Sequence, residues 1–192
     1  MTVRRGFPAA AERHAARVRE ELGLGPADQV AIPEVAGRLG VGVVAADELI
    51  DLARLQELER IQAFAFSACT FDINGAKVIV FNPLRTPERT QSDVAHELSH
   101  VILAHELSEL RVVAGMPFRT CRPDQEEEAT NLAGTLLLPR PLLLKAARRG
   151  LSVEQIAQQY GVTIDMARFR WNKTGVARQA RSVRTAAGSA QR

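Results

Sequence analysis

His96-Glu97-Leu98-Ser99-His100 has the form H-E-x-x-H. On a helix, residues four apart lie about 40° round and one turn up, so both imidazoles can reach a single metal ion. Glu97 points about 100° away from His96, where its carboxylate can take a proton from water instead of filling a coordination position. The flanks predict that helix. Val94, Ala95, Leu98, Val101 and Ile102 recur at i, i+1, i+4, i+7 and i+8, the stripe of a core-facing helix. His96 and His100 fall on the side away from the stripe and so face a cleft or solvent, as ligands must.

A catalytic zinc keeps three protein ligands and one open position. His105 lies five residues past His100, on the Leu98 face, without the glycine-containing turn of H-E-x-x-H-x-x-G-x-x-H. It reads as a packing or helix-end residue. His14, in a charged Ala-rich N-terminal segment, is a poor candidate. The run Asp124-Gln125-Glu126-Glu127-Glu128 offers carboxylates at the head of a second helix, whose apolar face is Ala129, Leu132, Ala133, Leu136 and Leu137. Pro139 and Pro141 then end it. At 100° per residue, Glu126 lies about 50° from the centre of that face and Glu128 about 110°, while Glu127 points outward. Periodicity thus removes Glu127 and leaves Glu126 and Glu128 both open. Asp124 and Glu127 suit the positive end of a helix dipole.

The segment Glu128-Ala-Thr-Asn-Leu-Ala-Gly-Thr-Leu-Leu-Leu-Pro139 resembles the E-A-N-x-F-A-x-x-L-L-M-P stretch of the ImmA/IrrE metallopeptidases. The resemblance continues upstream through Ser67-Ala68, Ile79-Val80-Phe81-Asn82-Pro83 and Arg89, and downstream to Trp171-Asn172-Lys173-Thr174-Gly175. It therefore covers about residues 30–176. Two positions depart from the pattern: Thr130, where the family favours Asn or Asp, and Leu132, usually Phe. At the first, Asn131 or Glu126 becomes the candidate for supporting the metal from behind. The resemblance implies an α+β, mainly helical, gluzincin-like peptidase domain with a small β-sheet or hairpin. It also implies zinc (Zn2+) on His96, His100 and Glu128, with Glu97 as catalytic base. The implied substrate is a separate helix-turn-helix repressor, whose cleavage derepresses stress or mobile-element genes.

Composition is that of a soluble globular protein. The 192 residues are 46% hydrophobic and 24% charged, with a net charge of +3, ordinary values for one globular domain with a core. The N-terminal residues have no apolar signal region, and no run approaches the ~20 apolar residues of a membrane span. A cytoplasmic protein is expected, and Cys69 and Cys121 read as thiols rather than as a bridge.

Along the chain, residues 1–150 are expected to form the peptidase domain. Helices are predicted from about Pro8 to Leu22 and from Ile32 to Leu39, and a strand from Val41 to Ala45. A further helix, capped by Asp47, runs through about Arg60. Residues 63–71 and 77–81 flank Asp72-Ile73-Asn74-Gly75, and Asn-Gly between apolar β-prone runs is a strong hairpin signal. One of these strands is expected to hold substrate backbone by edge pairing.

Residues 151–176 carry helix-turn-helix punctuation. Ser152 and Gln155 form a capping box, Gly161 ends that helix, and Thr163 caps another through about Asn172. Beyond Asp165 no acidic residue follows, while Arg168, Arg170, Lys173, Arg178, Arg181, Arg184 and Arg192 do. The alternative function is a DNA-binding regulator using this segment, with the zinc site structural or regulatory. Met166, Phe169 and Trp171 argue instead for packing within the peptidase unit. Residues 177–192 are expected to be a disordered basic tail.

Overall fold

The structure is a computed structural model that describes residues 4–61, 66–106, 110–113, 116–119, 122–176 and 178–179. Its elements in chain order are α1 (Phe7–Glu21), α2 (Ile32–Arg38), β1 (Gly42–Ala45), α3 (Leu52–Ile61), β2 (Ala68–Ile73), β3 (Ala76–Phe81) and α4 (Pro87–Ile102). There follow β4 (Leu110–Val113), β5 (Met116–Arg119), α5 (Pro123–Leu137), α6 (Arg140–Arg148), α7 (Val153–Tyr160) and α8 (Ile164–Lys173). The class is α+β and mostly helical. None of the described helices is long and apolar enough to cross a membrane.

A three-stranded sheet, ordered β1-β3-β2, lies beside α4. β1 runs parallel to β3, and β2 runs antiparallel to it with Thr70 opposite Ile79. Asn74 and Gly75, at φ 54° and 86°, make the two-residue turn of this hairpin, as two left-handed positions in succession require. β2 is one of the two edge strands of this sheet, and its Ala68 and Thr70 are buried while Phe71 is exposed.

Leu98 of α4 packs with Leu132 and Leu136 of α5, all three with no solvent exposure, in one core cluster. The same cluster takes in Ala11 and Ala15 of α1 and Leu142 and Leu143 of α6. Ile156 of α7 and Ala167 of α8 also belong to it, so the residues after 150 share the core of those before it. Two buried arginines hold the C-terminal end of α5, where helix carbonyls lack intrahelical partners. Arg19 donates to the Leu136 carbonyl at 2.6 Å, and Arg170 to that of Leu138 at 3.0 Å. Burial brings the Arg19 guanidinium down to about 10, with Glu12 and Asp28 pulling the other way.

Three elements differ from the sequence expectation. Asp47 does not cap α3. It sits in a 3-10 turn, Ala46–Glu48, and α3 begins only at Leu52. Pro139 and Pro141 end α5 but also open α6, at its N-cap and first turn, where a proline's missing N–H costs nothing. The hairpin β4–β5 between α4 and α5 carries no clear turn dipeptide and has no counterpart in the sequence reading. The capping box at Ser152, the left-handed Gly161 and the Thr163 cap all form. Residues 178 and 179 apart, the basic tail lies outside the described residues, as does Cys121.

Candidate metal centre

Helix α4 starts at the Thr86 N-cap, whose side chain accepts from the Arg89 N–H. It buries Val94, Ala95 and Leu98 against the core, and this fixes which way the opposite face looks. His96 and His100 project from that face towards α5, and their Nε2 atoms lie 3.1 Å apart. The Glu126 carboxylate closes the group, with Oε2 3.1 Å from His96 Nε2 and Oε1 3.6 Å from His100 Nε2. Among the described residues, these three form the group able to hold a metal ion. Ligand atoms at about 2.0–2.1 Å from a tetrahedral zinc are separated by about 3.3–3.4 Å. The His96 Nε2–His100 Nε2 and His96 Nε2–Glu126 Oε2 separations of 3.1 Å lie close to that value, and one donor atom from each of the three residues lies within 4.8 Å of the others, so the residues fit the ion. Hydrogen bonds from His100 and then His96 hold the Glu126 carboxyl well below the usual carboxylate range, against the opposing effect of burial.

Glu128, the ligand implied by the resemblance, is not brought to this pair. Two residues along a helix is about 200° of rotation, so Glu126 and Glu128 leave α5 in different directions. Glu128 Oε2 lies instead 3.3 Å from His105 Nε2, and His105 Nδ1 lies 3.0 Å from His100 Nδ1. His105 is indeed a helix-end residue outside the donor trio, but its ring contacts one of the three. Burial holds its imidazole below the ordinary range, with Glu128 pulling the other way.

Glu97 is 3% exposed and accepts a 2.7 Å hydrogen bond from the Thr70 hydroxyl on β2. Thr70 was not singled out in the sequence. The signal that could have found it is the hairpin register, which turns alternate β2 side chains towards α4. Thr130 Oγ1 approaches His96 Nδ1 at 3.5 Å, occupying the position where the resemblance leads one to expect Asn or Asp. Asn131 is otherwise engaged, donating to the Glu127 carbonyl at 2.7 Å. Glu126 and Thr130 are four apart on α5 and share a face, a pairing legible in the sequence only once the crossing of the two helices is known.

A cleft of about 690 Å³ opens beside His96 and Glu97. Residues 66–71 wall one side, and Asp165, Met166 and Phe169 of α8 wall the other. Helix α8 is anchored by the side that carries Ala167 and Arg170, with Met166 reaching both the cleft and α5. Arg170 is 4% exposed and pairs with Glu12 at 2.7 Å. Gly134 of α5 lets α8 approach so closely that a Cβ there would stand 2.8 Å from Arg170 Cδ and 3.0 Å from Met166 Sδ.

Comparison with known proteins places this arrangement. A search of curated proteins finds no significant match. A solved Mycobacterium tuberculosis transcriptional regulator shares the fold at a TM-score of 0.50 and 18% identity, over 86% of this chain and 46% of that one. The chain thus spans about half of that protein's length. The model of the IrrE N-terminal-like domain, peptidase family M78, matches residues 37–172, a span that holds the H-E-x-x-H helix, Glu126 and both cleft walls. The chain belongs to the IrrE N-terminal-like family of peptidases.

Proposed function

We propose that the protein is a zinc-dependent endopeptidase in which His96, His100 and Glu126 hold the metal and Glu97 is the catalytic base. The observation that carries this reading is the convergence of His96, His100 and Glu126, one donor atom from each within 4.8 Å of the others and His96 Nε2 3.1 Å from both His100 Nε2 and Glu126 Oε2. Bound zinc supplies a Lewis acid that polarises the scissile carbonyl and lowers the pKa of water towards about 7. Glu97 accepts the proton of the attacking water and passes it to the leaving amine. The Thr70 hydroxyl fixes the orientation of that carboxylate. β2, an edge strand, borders the cleft from Ala68 to Phe71 and pairs the substrate backbone by strand addition.

The substrate is a protein, a helix-turn-helix repressor carried as a separate chain, cut inside the cell to release stress or mobile-element genes. Family membership and the resemblance support this part of the reading. The DNA-binding alternative gains from the turn between α7 and α8 and from the exposed Arg168 and Lys173. It is disfavoured because α8 commits Ala167 and Arg170 to the core and Asp165, Met166 and Phe169 to the cleft. The test is incubation with the repressor encoded beside this gene, with and without chelator, read by intact mass. Two fragments that sum to the repressor, absent with chelator and absent for Glu97→Gln, are expected. An intact repressor with the zinc-loaded wild type would overturn the substrate assignment. Undiminished cutting by Glu97→Gln would overturn the mechanism.

A further inference from the structure

Helix α4 does not simply stop after His100. The Ala104 N–H bonds to the Val101 carbonyl at 3.1 Å and the His105 N–H to the His100 carbonyl at 3.0 Å, with Ala104 at φ 51°. These are the two bonds and the left-handed residue of a Schellman turn. The turn folds the chain back so that the His105 ring meets His100, at 5.0 Å between centroids and in an edge-on arrangement. Both rings are buried, with side-chain exposures of 8% for His100 and 6% for His105.

The hydrogen-bond chemistry of this contact has one solution compatible with a metal at the trio. A nitrogen that binds metal offers its lone pair and carries no proton. If His100 Nε2 is the ligand, Nδ1 of neutral His100 must bear the hydrogen. Across 3.0 Å, His105 Nδ1 must then accept it, which places the His105 proton on Nε2. That Nε2 lies 3.3 Å from the Glu128 carboxylate, an acceptor. Every donor in the chain Glu128–His105–His100 meets an acceptor.

We infer that His105 and Glu128 are positioning residues that fix the tautomer and ring orientation of His100 for metal binding, Glu128 acting through His105. The inference rests on the metal reading above and extends it to two residues outside the donor trio. It also gives Glu128 a role distinct from ligation. Partners that orient a metal-binding histidine typically contribute 10–100-fold in affinity.

The test is zinc affinity of the full chain by competition with a chromophoric chelator, for wild type, His105→Ala, Glu128→Gln and the double variant. His105→Gln, whose amide can still accept from His100, is the conservative rescue. Thermal unfolding of the metal-free proteins gauges the fold of each. Each single variant is expected to weaken zinc binding 10–100-fold, the double variant no further than His105→Ala alone, and His105→Gln to recover at least part of the loss. Should His105→Ala fail to fold, His105→Phe, which keeps a ring but neither donor nor acceptor, takes its place in the same comparison. Affinity unchanged within twofold on replacing His105 would overturn the inference. So would a full additional loss from Glu128→Gln in the His105→Ala background, the behaviour of an independent ligand. Failure of the metal reading looks different: wild type without zinc affinity, or Glu126→Gln without effect on it.

Discussion

Two carboxylates beside the same pair of histidines differ in what they touch. Glu97 meets a hydroxyl from β2, and Glu126 meets two imidazoles. Under the proposed function the difference gives one to proton transfer and the other to the metal, and it predicts separable phenotypes. Glu97→Gln should lose about 10²–10⁴-fold in kcat while zinc content, read by elemental analysis, stays at the wild-type level. Glu126→Gln should instead lose the zinc itself. Thr70→Val removes one hydrogen bond to a charged acceptor, worth about 1.5 kcal/mol, and so should lower kcat/KM about tenfold with zinc content unchanged. A Thr70→Val enzyme with wild-type kinetics would show that Glu97 is positioned by other contacts. Histidine spacing made His96, Glu97 and His100 readable before any fold was known, because a ligand pair within one helix needs no tertiary information. Glu126 was not readable in that way. Periodicity gives the faces of α5 but not the angle at which it crosses α4, and a sequence match pointed to Glu128, two residues along the same acidic run.

At the scale of elements, local chemistry was legible at most places where a side chain meets its own backbone, Asp47 excepted. Ser152, Thr163, Gly161 and the Asn74-Gly75 turn do what their residue types require. A turn that lacks its usual residue was not legible. The Schellman turn after α4 was hidden because an alanine stands where glycine is usual. A left-handed alanine costs about 1–2 kcal/mol. Ala104→Gly should therefore stabilise the protein by about 1 kcal/mol, a gain of about 2–4 °C in Tm by calorimetry, with the His105 contact and zinc affinity retained. The reverse logic applies at Gly134, where no Cβ can enter without displacing Arg170 or Met166. Gly134→Ala is expected to cost about 1–3 kcal/mol through overpacking between α5 and α8, checked by urea unfolding.

Over the whole molecule, the buried arginines connect distant parts of the chain. Arg170 of α8 reaches Glu12 of α1 and the carbonyl that follows α5. Burial lowers the Arg170 pKa while Glu12 opposes the shift, so the charge is retained at the cost of desolvation. Removing one partner of a buried pair costs about 3–5 kcal/mol. Because Glu12 is 30% exposed, Arg170→Met should cost less, about 2–3 kcal/mol by urea unfolding, and should reduce cleavage by loosening a wall of the cleft. The anchoring face of α8, with Ala167 and Arg170, is distinct from Asp165 and Phe169, which look into the cleft. One short helix therefore divides two tasks between its sides. Choice of substrate can drift through exchanges at Asp165 and Phe169 while the fold stays anchored, so that members with one chemistry could diverge in the sequences they cut without passing through an unstable intermediate.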